Sequence, residues 1–222
     1  ISSLRDAIVR LGMNRIFQLV ITSAIIPIAR QEIKGYDLPP GKLLEHSIAV
    51  AVGSEELAAQ LGRRAPAHTF TAGLLHDLGK IVLGTFLEVD VGPIVRMAFD
   101  EKVSFEVAEA KILGMDHAEA GAELLQVWKL PESLVQAVRF HHRPAEFKGT
   151  AEEVFVLDLV HVADILALES GVGTGVDGLN YVPCPEASAR LKLKPAISEA
   201  VVCNMITNVG ELKDVLGTNG RR

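Results

Sequence analysis

Gly73-Leu74-Leu75-His76-Asp77-Leu78-Gly79-Lys80 is the stretch around which this 222-residue chain is organised, and within it the adjacent His76 and Asp77. Neighbours on a helix stand about 100° apart, so such a pair converges on one centre only if its helix is buried against others that carry further ligands. The sequence supplies those others. His46 precedes the pair, and His117, the adjacent His141 and His142, and Asp164 follow it. Only His68 and His161 stand outside this set.

The segments carrying these residues read as helices. Ser3 with Asp6 marks a capped start, with Leu4, Ile8 and Leu11 as a buried stripe and Gly12 as the stop. Asn14 is placed to cap a second helix through Phe17, Val20 and Ala24. That helix is apolar at almost every position after Gln18 and is expected to be buried on more than one side, with Pro27 kinking or ending it. Glu32 to Gly41 is polar and punctuated by Gly35, Pro39 and Pro40, so it reads as a loop. Lys42 to Leu61 has apolar residues at helical spacing and sets His46 on its first turns. One helix is expected from Ala67 through Leu75 and past Lys80. It places the Lys80 ammonium on the side of His76 and Asp77, either as a phosphate contact or in a salt bridge near the site mouth. Gly73 and Gly79 are costly inside a helix, and close approach of a second helix or of a metal-bound ligand accounts for them, as does packing alone.

Further along, Ser104 caps a helix through Ile112 that Gly114 closes, and Asp116-His117 opens the next. The interval from His117 to Gly121 puts the imidazole and a missing side chain on one face, which suits a tight helix crossing. Glu119 and Glu123 read as solvent-facing rather than catalytic. Trp128 is expected to be buried at a helix end before Pro131, and the helix that follows delivers His141 and His142 at its C-terminal end. Arg143 reads either as a surface or capping residue or as a contact for an anionic substrate. The helix from Glu152 to Glu169 places Asp164 on a largely apolar segment, where a lone carboxylate is costly and a cation would compensate it. His161 reads as packed or exposed, with hydrogen bonding to the ligand shell as the alternative. Between Ser170 and Pro185, the glycines at 171, 173, 175 and 178 mark an irregular excursion that covers a helical core or borders a site. Helical character resumes from Ala187 to Leu191 and from Ile197 to Val209.

Composition narrows the function. A formal charge of -6 argues against a protein that grips nucleic acid through broad positive potential. Cys184 and Cys203 make no compact motif, fit a reducing compartment and read as core thiols. Leu19 to Ala29 is too short and too interrupted to cross a membrane, and no basic start leads into a secretory segment, so the expected location is cytoplasmic. Without an initiating Met, and entering directly into a helical pattern, the chain is expected to be a fragment of a longer protein. Neither an internal repeat nor a P-loop or dinucleotide-binding glycine pattern is found.

The order of one His, an HD pair, further His positions and a late Asp resembles the HD superfamily of metal-dependent phosphohydrolases. Leu74 to Leu83, with HD followed by Leu-Gly-Lys, looks most like the branch holding the HD-GYP phosphodiesterases and the HDOD output domains. The opening from Ile1 to Ile16 is very like the middle of an HDOD domain, and the resemblance covers residues 1 to roughly 170. No Gly-Tyr-Pro segment follows His141-His142-Arg143-Pro144, and Gly35-Tyr36 lies before the HD pair, which favours the HDOD branch over cyclic dinucleotide hydrolysis.

The resemblance implies an all-α, HD-superfamily helical bundle. Residues 1–170 would be the HDOD-like domain lacking its N-terminal part, and residues 171–222 the excursion and C-terminal helices packed on the same domain. It also implies two divalent metal ions. His46, His76, Asp77 and Asp164 would hold one, and Asp77, His117, His141 and His142 the other, with Asp77 and a water bridging them. Mixed imidazole and carboxylate donors leave Fe, Mn, Ni, Co, Zn and Mg all open. The implied activity is metal-dependent hydrolysis of a nucleotide or cyclic nucleotide phosphoester, with Asp77 and Lys80 in catalysis and Lys80 and Arg143 on the substrate. The alternative is a non-catalytic regulatory output module that binds metal, a ligand or a protein partner. Either fits a bacterial signalling setting with a signalling protein or an upstream sensory domain.

Overall fold

Two long helices, α3 (Lys42–Gln60) and α10 (Ala151–Glu169), pack against each other with most of their residues buried. The computed structural model describes residues 3–86, 91–178 and 181–215. The remaining helices are α1 (Leu4–Leu11), α2 (Met13–Ala29), α4 (Thr69–Leu75), α5 (Gly79–Phe86), α6 (Gly92–Glu101), α7 (Phe105–Leu113), α8 (His117–Val127), α9 (Glu132–Phe140), α11 (Pro185–Leu191) and α12 (Pro195–Val215). Among the described residues the rest is loop, a 3-10 turn at Lys34–Tyr36 and one isolated bridge between Ile33 and Leu38. The fold is the expected all-α bundle.

Local chemistry sets the ends of the helices that matter. Thr150 and Glu153 form a reciprocal capping box that starts α10. Asp116 accepts from the Glu119 backbone N–H at 2.7 Å and so fixes the first turn of α8, where His117 sits. Gly114 closes α7 at φ +85°, a conformation that suits a residue without Cβ. Glycines also set how closely helices approach. A Cβ on Gly73 would lie 2.7 Å from the Cα of Ala51, so α4 meets α3 backbone to backbone. A Cβ on Gly79 would overlap the His117 carbonyl oxygen, while Gly121 faces Gly79 across the same crossing. Both expected close approaches are therefore helix against helix. On the far side of α3, Met205 of α12 packs over Gly53.

Several expectations are corrected. The single helix expected over Ala67 to Lys80 is two, because His76, Asp77 and Leu78 form a turn held by three-residue bonds from Leu78 N to Leu75 O and from Lys80 N to Asp77 O. The second helix starts at Met13, without the Asn14 cap. Its outer face is not buried: Val20 is 60% exposed and Leu19 is also in contact with solvent. Leu11 is likewise exposed and Ile8 only partly buried, while the Leu4 side chain falls outside the described residues. Trp128 is 41% exposed because α8 ends in a turn at the molecular surface. Neither cysteine is a core thiol, Cys184 being partly buried and Cys203 exposed. The stretch from Glu211 continues α12 to Val215, and the Gly-Thr-Asn-Gly-Arg-Arg tail lies outside the described residues.

Candidate metal centre

Five elements deliver the seven predicted ligands to one interior point. His46 comes from the first turns of α3, His76 and Asp77 from the turn between α4 and α5, His117 from the start of α8, His141 and His142 from the end of α9, and Asp164 from the middle of α10. All seven side chains are almost completely buried. His117 Nε2 lies 3.4 Å and His141 Nε2 3.8 Å from Asp77 Oδ1, and His117 and His142 bring their Nε2 atoms to 2.8 Å. On the other carboxylate oxygen, Asp77 Oδ2, His76 Nε2 stands at 3.5 Å and His46 Nε2 at 3.6 Å. Asp164 Oδ1 is 3.0 Å from His46 Nε2 and 3.6 Å from His76 Nε2. Asp77 thus stands between two groups of donors, His117, His141 and His142 on one side and His46 and His76 on the other.

The outer nitrogens explain why the inner ones point inward. His46, His76 and His141 donate Nδ1–H to the backbone carbonyls of Val172 (3.0 Å), Gly73 (2.7 Å) and Val138 (2.7 Å), and His117 donates to Glu109 Oε2 at 2.6 Å. A histidine whose Nδ1 carries the proton presents a lone pair at Nε2, as metal ligation requires. The fit to a cation is tested by what remains unpaired. His76 Nε2, His141 Nε2, Asp77 Oδ1 and Asp164 Oδ2 are buried without a hydrogen-bond partner. Converging, unpartnered lone pairs in a dry interior are costly unless a cation joins them. Two donors held at about 2.1 Å by one ion stand roughly 3.0–3.4 Å apart, close to the separations found here. The residues present therefore fit divalent metal ions.

Electrostatics agree with that reading at the two aspartates and at His141 and His142, whereas at His117 and His46 neighbouring carboxylates favour the protonated imidazole. Burial favours the neutral acid at Asp77 and Asp164, yet both carboxyls lie well below their ordinary range. Lys80 and the surrounding imidazoles are responsible at Asp77, and His46 and His76 at Asp164. Burial, with help from neighbouring imidazoles, pushes His141 and His142 well down, into the neutral form that ligates. Burial also opposes a charge on His117, but Glu109 overrides it and lifts the imidazole to about 9. At His46 the carboxylate of Asp164 likewise outweighs burial and raises the pKa.

Lys80 is inside the site rather than at its mouth. Its ammonium lies 2.7 Å from Asp77 Oδ2 and 2.6 Å from Asp177 Oδ2, and these carboxylates outweigh burial to raise its pKa. Arg143 stays apart from the cluster, 3.3 Å from Asp116 Oδ2, where it braces the residue that caps α8. Glu119 and Glu123 pair with Arg139 at the surface. His161 is buried and bonded to backbone, donating to the His141 carbonyl at 2.7 Å and accepting from Cys184 N at 2.8 Å, so it supports the turn that carries His141.

Sequence reasoning missed four residues. Glu109 binds His117 and also accepts from the Tyr36 hydroxyl. Asp177 pairs with Lys80 and accepts from the Tyr181 hydroxyl at 2.8 Å. The Tyr181 ring stacks on His142, with centroids 4.5 Å apart and planes 8° from parallel. Glu109 carried a signal, since it shares a buried helical face with Phe105 and Ala108. Asp177 and Tyr181 lie in a glycine-rich stretch without periodicity and carried none.

A helical bundle that buries an HD pair among histidines and an aspartate from four other helices defines a domain of the HD-superfamily type. The HDOD domain family matches residues 1–144, and the chain belongs to that family. It is similar in fold to an HDOD domain protein of unknown function from Geobacter sulfurreducens, with TM-score 0.61 and 24% identity over 97% of this chain and 71% of that one. A candidate phosphohydrolase from Shewanella amazonensis SB2B gives TM-score 0.57 at 23% identity, over 92% of this chain and 77% of that one. An uncharacterized protein of Treponema pallidum (strain Nichols) is 30% identical over 105 residues, which is 46% of this chain and 19% of that protein. The chain thus spans about a fifth of that relative. No helix among the described residues is long and apolar enough to cross a membrane.

Proposed function

We propose that this chain is a regulatory output module built around a two-ion metal centre that takes an anionic phosphoester or nucleotide as its ligand. One observation carries the reading: inward Nε2 atoms and two buried aspartates meet with lone pairs that no protein donor satisfies. His46, His76, Asp77 and Asp164 would hold one ion and Asp77, His117, His141 and His142 the other, with Asp77 shared. Imidazoles outnumber carboxylates, which favours Fe, Mn, Co, Ni or Zn over Mg. The regulatory reading stands ahead of turnover because the Lys80 ammonium is engaged by two carboxylates and the centre is covered by Tyr181. A signalling protein or a sensory domain elsewhere in a longer chain would read the liganded state.

The second reading is metal-dependent phosphoester hydrolysis, and the position of Asp77 between two donor groups favours it. Bound metal would supply an acidified water and neutralise charge on phosphorus. Lys80 would hold a phosphoryl oxygen, Glu109 would keep His117 in its ligating tautomer, and the apolar bundle would exclude bulk water. Metal analysis of protein grown in metal-replete medium tests the shared premise. About two equivalents are expected, falling sharply in Asp77→Asn, and metal-free wild type would overturn the centre. A panel of cyclic dinucleotides, cyclic mononucleotides and nucleoside phosphates, assayed with Mn and Fe under reducing conditions, then separates the readings. Saturable binding without turnover is expected, whereas turnover lost in Asp77→Asn would replace the regulatory reading by the enzymatic one.

A further inference from the structure

Lys80 is the one lysine or arginine buried among the described residues, and two carboxylates hold it. Asp77 Oδ2 stands 2.7 Å from its ammonium, and Asp177 Oδ2 accepts its hydrogen bond at 2.6 Å. The ring centroids of Tyr36 and Tyr181 lie 5.8 and 5.4 Å from the same nitrogen, and the Tyr181 hydroxyl donates to Asp177 Oδ2 at 2.8 Å. The two carboxylates differ in what else they face. Asp77 is shared with the imidazoles of both donor groups, whereas Asp177 belongs to none of the converging sets of donors and bonds to Lys80 and Tyr181. One carboxylate is therefore left for the ammonium whether the centre is empty or filled. Without metal, Asp77 is a buried anion and Lys80 compensates it. Once cations engage Asp77, an ammonium with no other partner would be stranded beside like charge, and Asp177 is the partner that remains.

We propose that Lys80 and Asp177 form a permanent internal ion pair that lets the centre gain and lose metal while the bundle stays folded. Lys80 positions Asp77 in the empty centre, and Asp177 keeps Lys80 in place in the filled one. The inference rests on the reading of the cluster as a metal centre and deepens it by naming how occupancy is uncoupled from folding. A site whose empty ligands have no compensating charge behaves differently, since metal binding then drives folding and chelation unfolds the domain. Lys80 is, on this account, a positioning residue for Asp77 rather than a contact for a phosphoryl oxygen. An anionic ligand would meet the metal ions, and the hydrolytic reading loses its lysine contact.

The probe is manganese alone, its affinity for the full chain read by competition with a chelator of known affinity. Simple structural support would move every variant the same way, whereas the ion pair moves two variants in opposite directions. Asp177→Asn keeps the shape of the side chain but strands the ammonium beside the ions, so manganese should bind about tenfold more weakly than in wild type, a modest demand for an unpaired buried charge. Combining Lys80→Met with Asp177→Asn removes both charges, leaves the net charge of the interior unchanged and frees Asp77, so affinity should rise about tenfold above wild type. Urea midpoints in chelator should fall from wild type to Asp177→Asn to the double variant, because the double variant alone leaves Asp77 uncompensated. With manganese the double variant should recover a midpoint near that of wild type, and a double variant that folds only with manganese meets the expectation in its strongest form. Affinities shifted the same way in both variants would overturn the ion-pair role and leave the centre standing. A double variant that stays unfolded with manganese present would overturn it too, since metal would then fail to replace Lys80. Wild type that takes up no manganese would overturn the centre itself, and the proposal with it.

Discussion

Gly79→Ala tests the whole construction at one atom. A Cβ built on Gly79 lies 2.6 Å from Gly121 N, which is 0.8 Å short of the 3.4 Å of ordinary van der Waals contact, and it overlaps the His117 carbonyl oxygen outright. Both neighbours are backbone, so no rotamer change relieves the clash. The start of α8 has to withdraw from α5 by about 1 Å or more, and overpacking of this kind costs about 3 kcal/mol, the upper end of the usual range. The same shift would carry His117 Nε2 from its 3.4 Å separation from Asp77 Oδ1 to beyond 4 Å. One ion with bonds of about 2.1 Å bridges that gap only with its two ligands nearly opposed, which the remaining ligands oppose. Urea denaturation should therefore show a loss of about 3 kcal/mol, and metal analysis should show the ion at His117, His141 and His142 lost first. Gly210→Ala is the control, since Gly210 sits in α12 with open space around its Cα. There the expected effect is a gain of about 0.5–1 kcal/mol from helix propensity and reduced unfolded-state freedom. Gly79→Ala with wild-type stability and full metal content would refute the reasoning.

Four other outcomes follow from the same geometry. Glu109→Gln, which weakens the acceptor for His117 Nδ1–H, should lower metal affinity about 10- to 100-fold with little change in far-UV circular dichroism. Competition with a chelator of known affinity measures it. Leu74→Ala removes a fully buried side chain from α4 and should cost about 2–5 kcal/mol in urea denaturation. Arg190 makes two bonds to the buried carboxylate of Asp158, at 2.6 and 2.7 Å, but its own side chain is more than a third exposed. Screening reduces the expected loss in Arg190→Met to about 1–3 kcal/mol, read from the urea midpoint. Removal of metal by dialysis against chelator should lower the melting temperature reversibly, since an ion at 100 times its dissociation constant contributes about 2.7 kcal/mol per site; an unchanged melting curve would count against bound metal.

His46, His117 and Asp164 were legible because each sits on a helix whose apolar spacing also places it inside, and the two adjacent pairs because each stands where such a helix ends. His46 shares α3 with Leu43 and Ile48, and Asp164 shares α10 with Val160 and Ala167, so periodicity and ligand type point to the same face. The helix break at His76 to Leu78 was not legible, because Leu74, Leu75 and Leu78 continue a helical pattern across it. Just beyond the break Gly79 meets His117 and Gly121 backbone to backbone, a tertiary contact that apolar spacing does not encode. Exposure was misjudged where hydropathy was read without neighbours. Leu19, Val20 and Trp128 are apolar enough for a core, yet each keeps about half of its surface exposed. Asp177 was invisible for a different reason. It meets Lys80 across 97 residues of chain, from a glycine-rich loop in which no pattern distinguishes one polar residue from another.

The outer contacts of the four orienting histidines divide unequally between fold and sequence. For His46, His76 and His141 the acceptor of Nδ1–H is a backbone carbonyl, so ring orientation and tautomer persist through almost any substitution that leaves the helices in place. Two of those carbonyls lie three residues back on the histidine's own helix, which makes the contact a by-product of helix termination. His117 lacks that option. It occupies the first position of α8, where the preceding residues are not helical and no carbonyl points along the axis behind it. A side chain has to serve instead, and Glu109 also accepts from the His117 backbone N–H at 3.1 Å, one of the orphan donors of the helix start. One carboxylate thus caps the helix, sets the tautomer of its first residue and raises that residue's pKa. A ligand at a helix start needs a partner encoded elsewhere in the chain, whereas a ligand at a helix end carries its own, so Glu109 is the outer contact of this centre that substitution can reach directly.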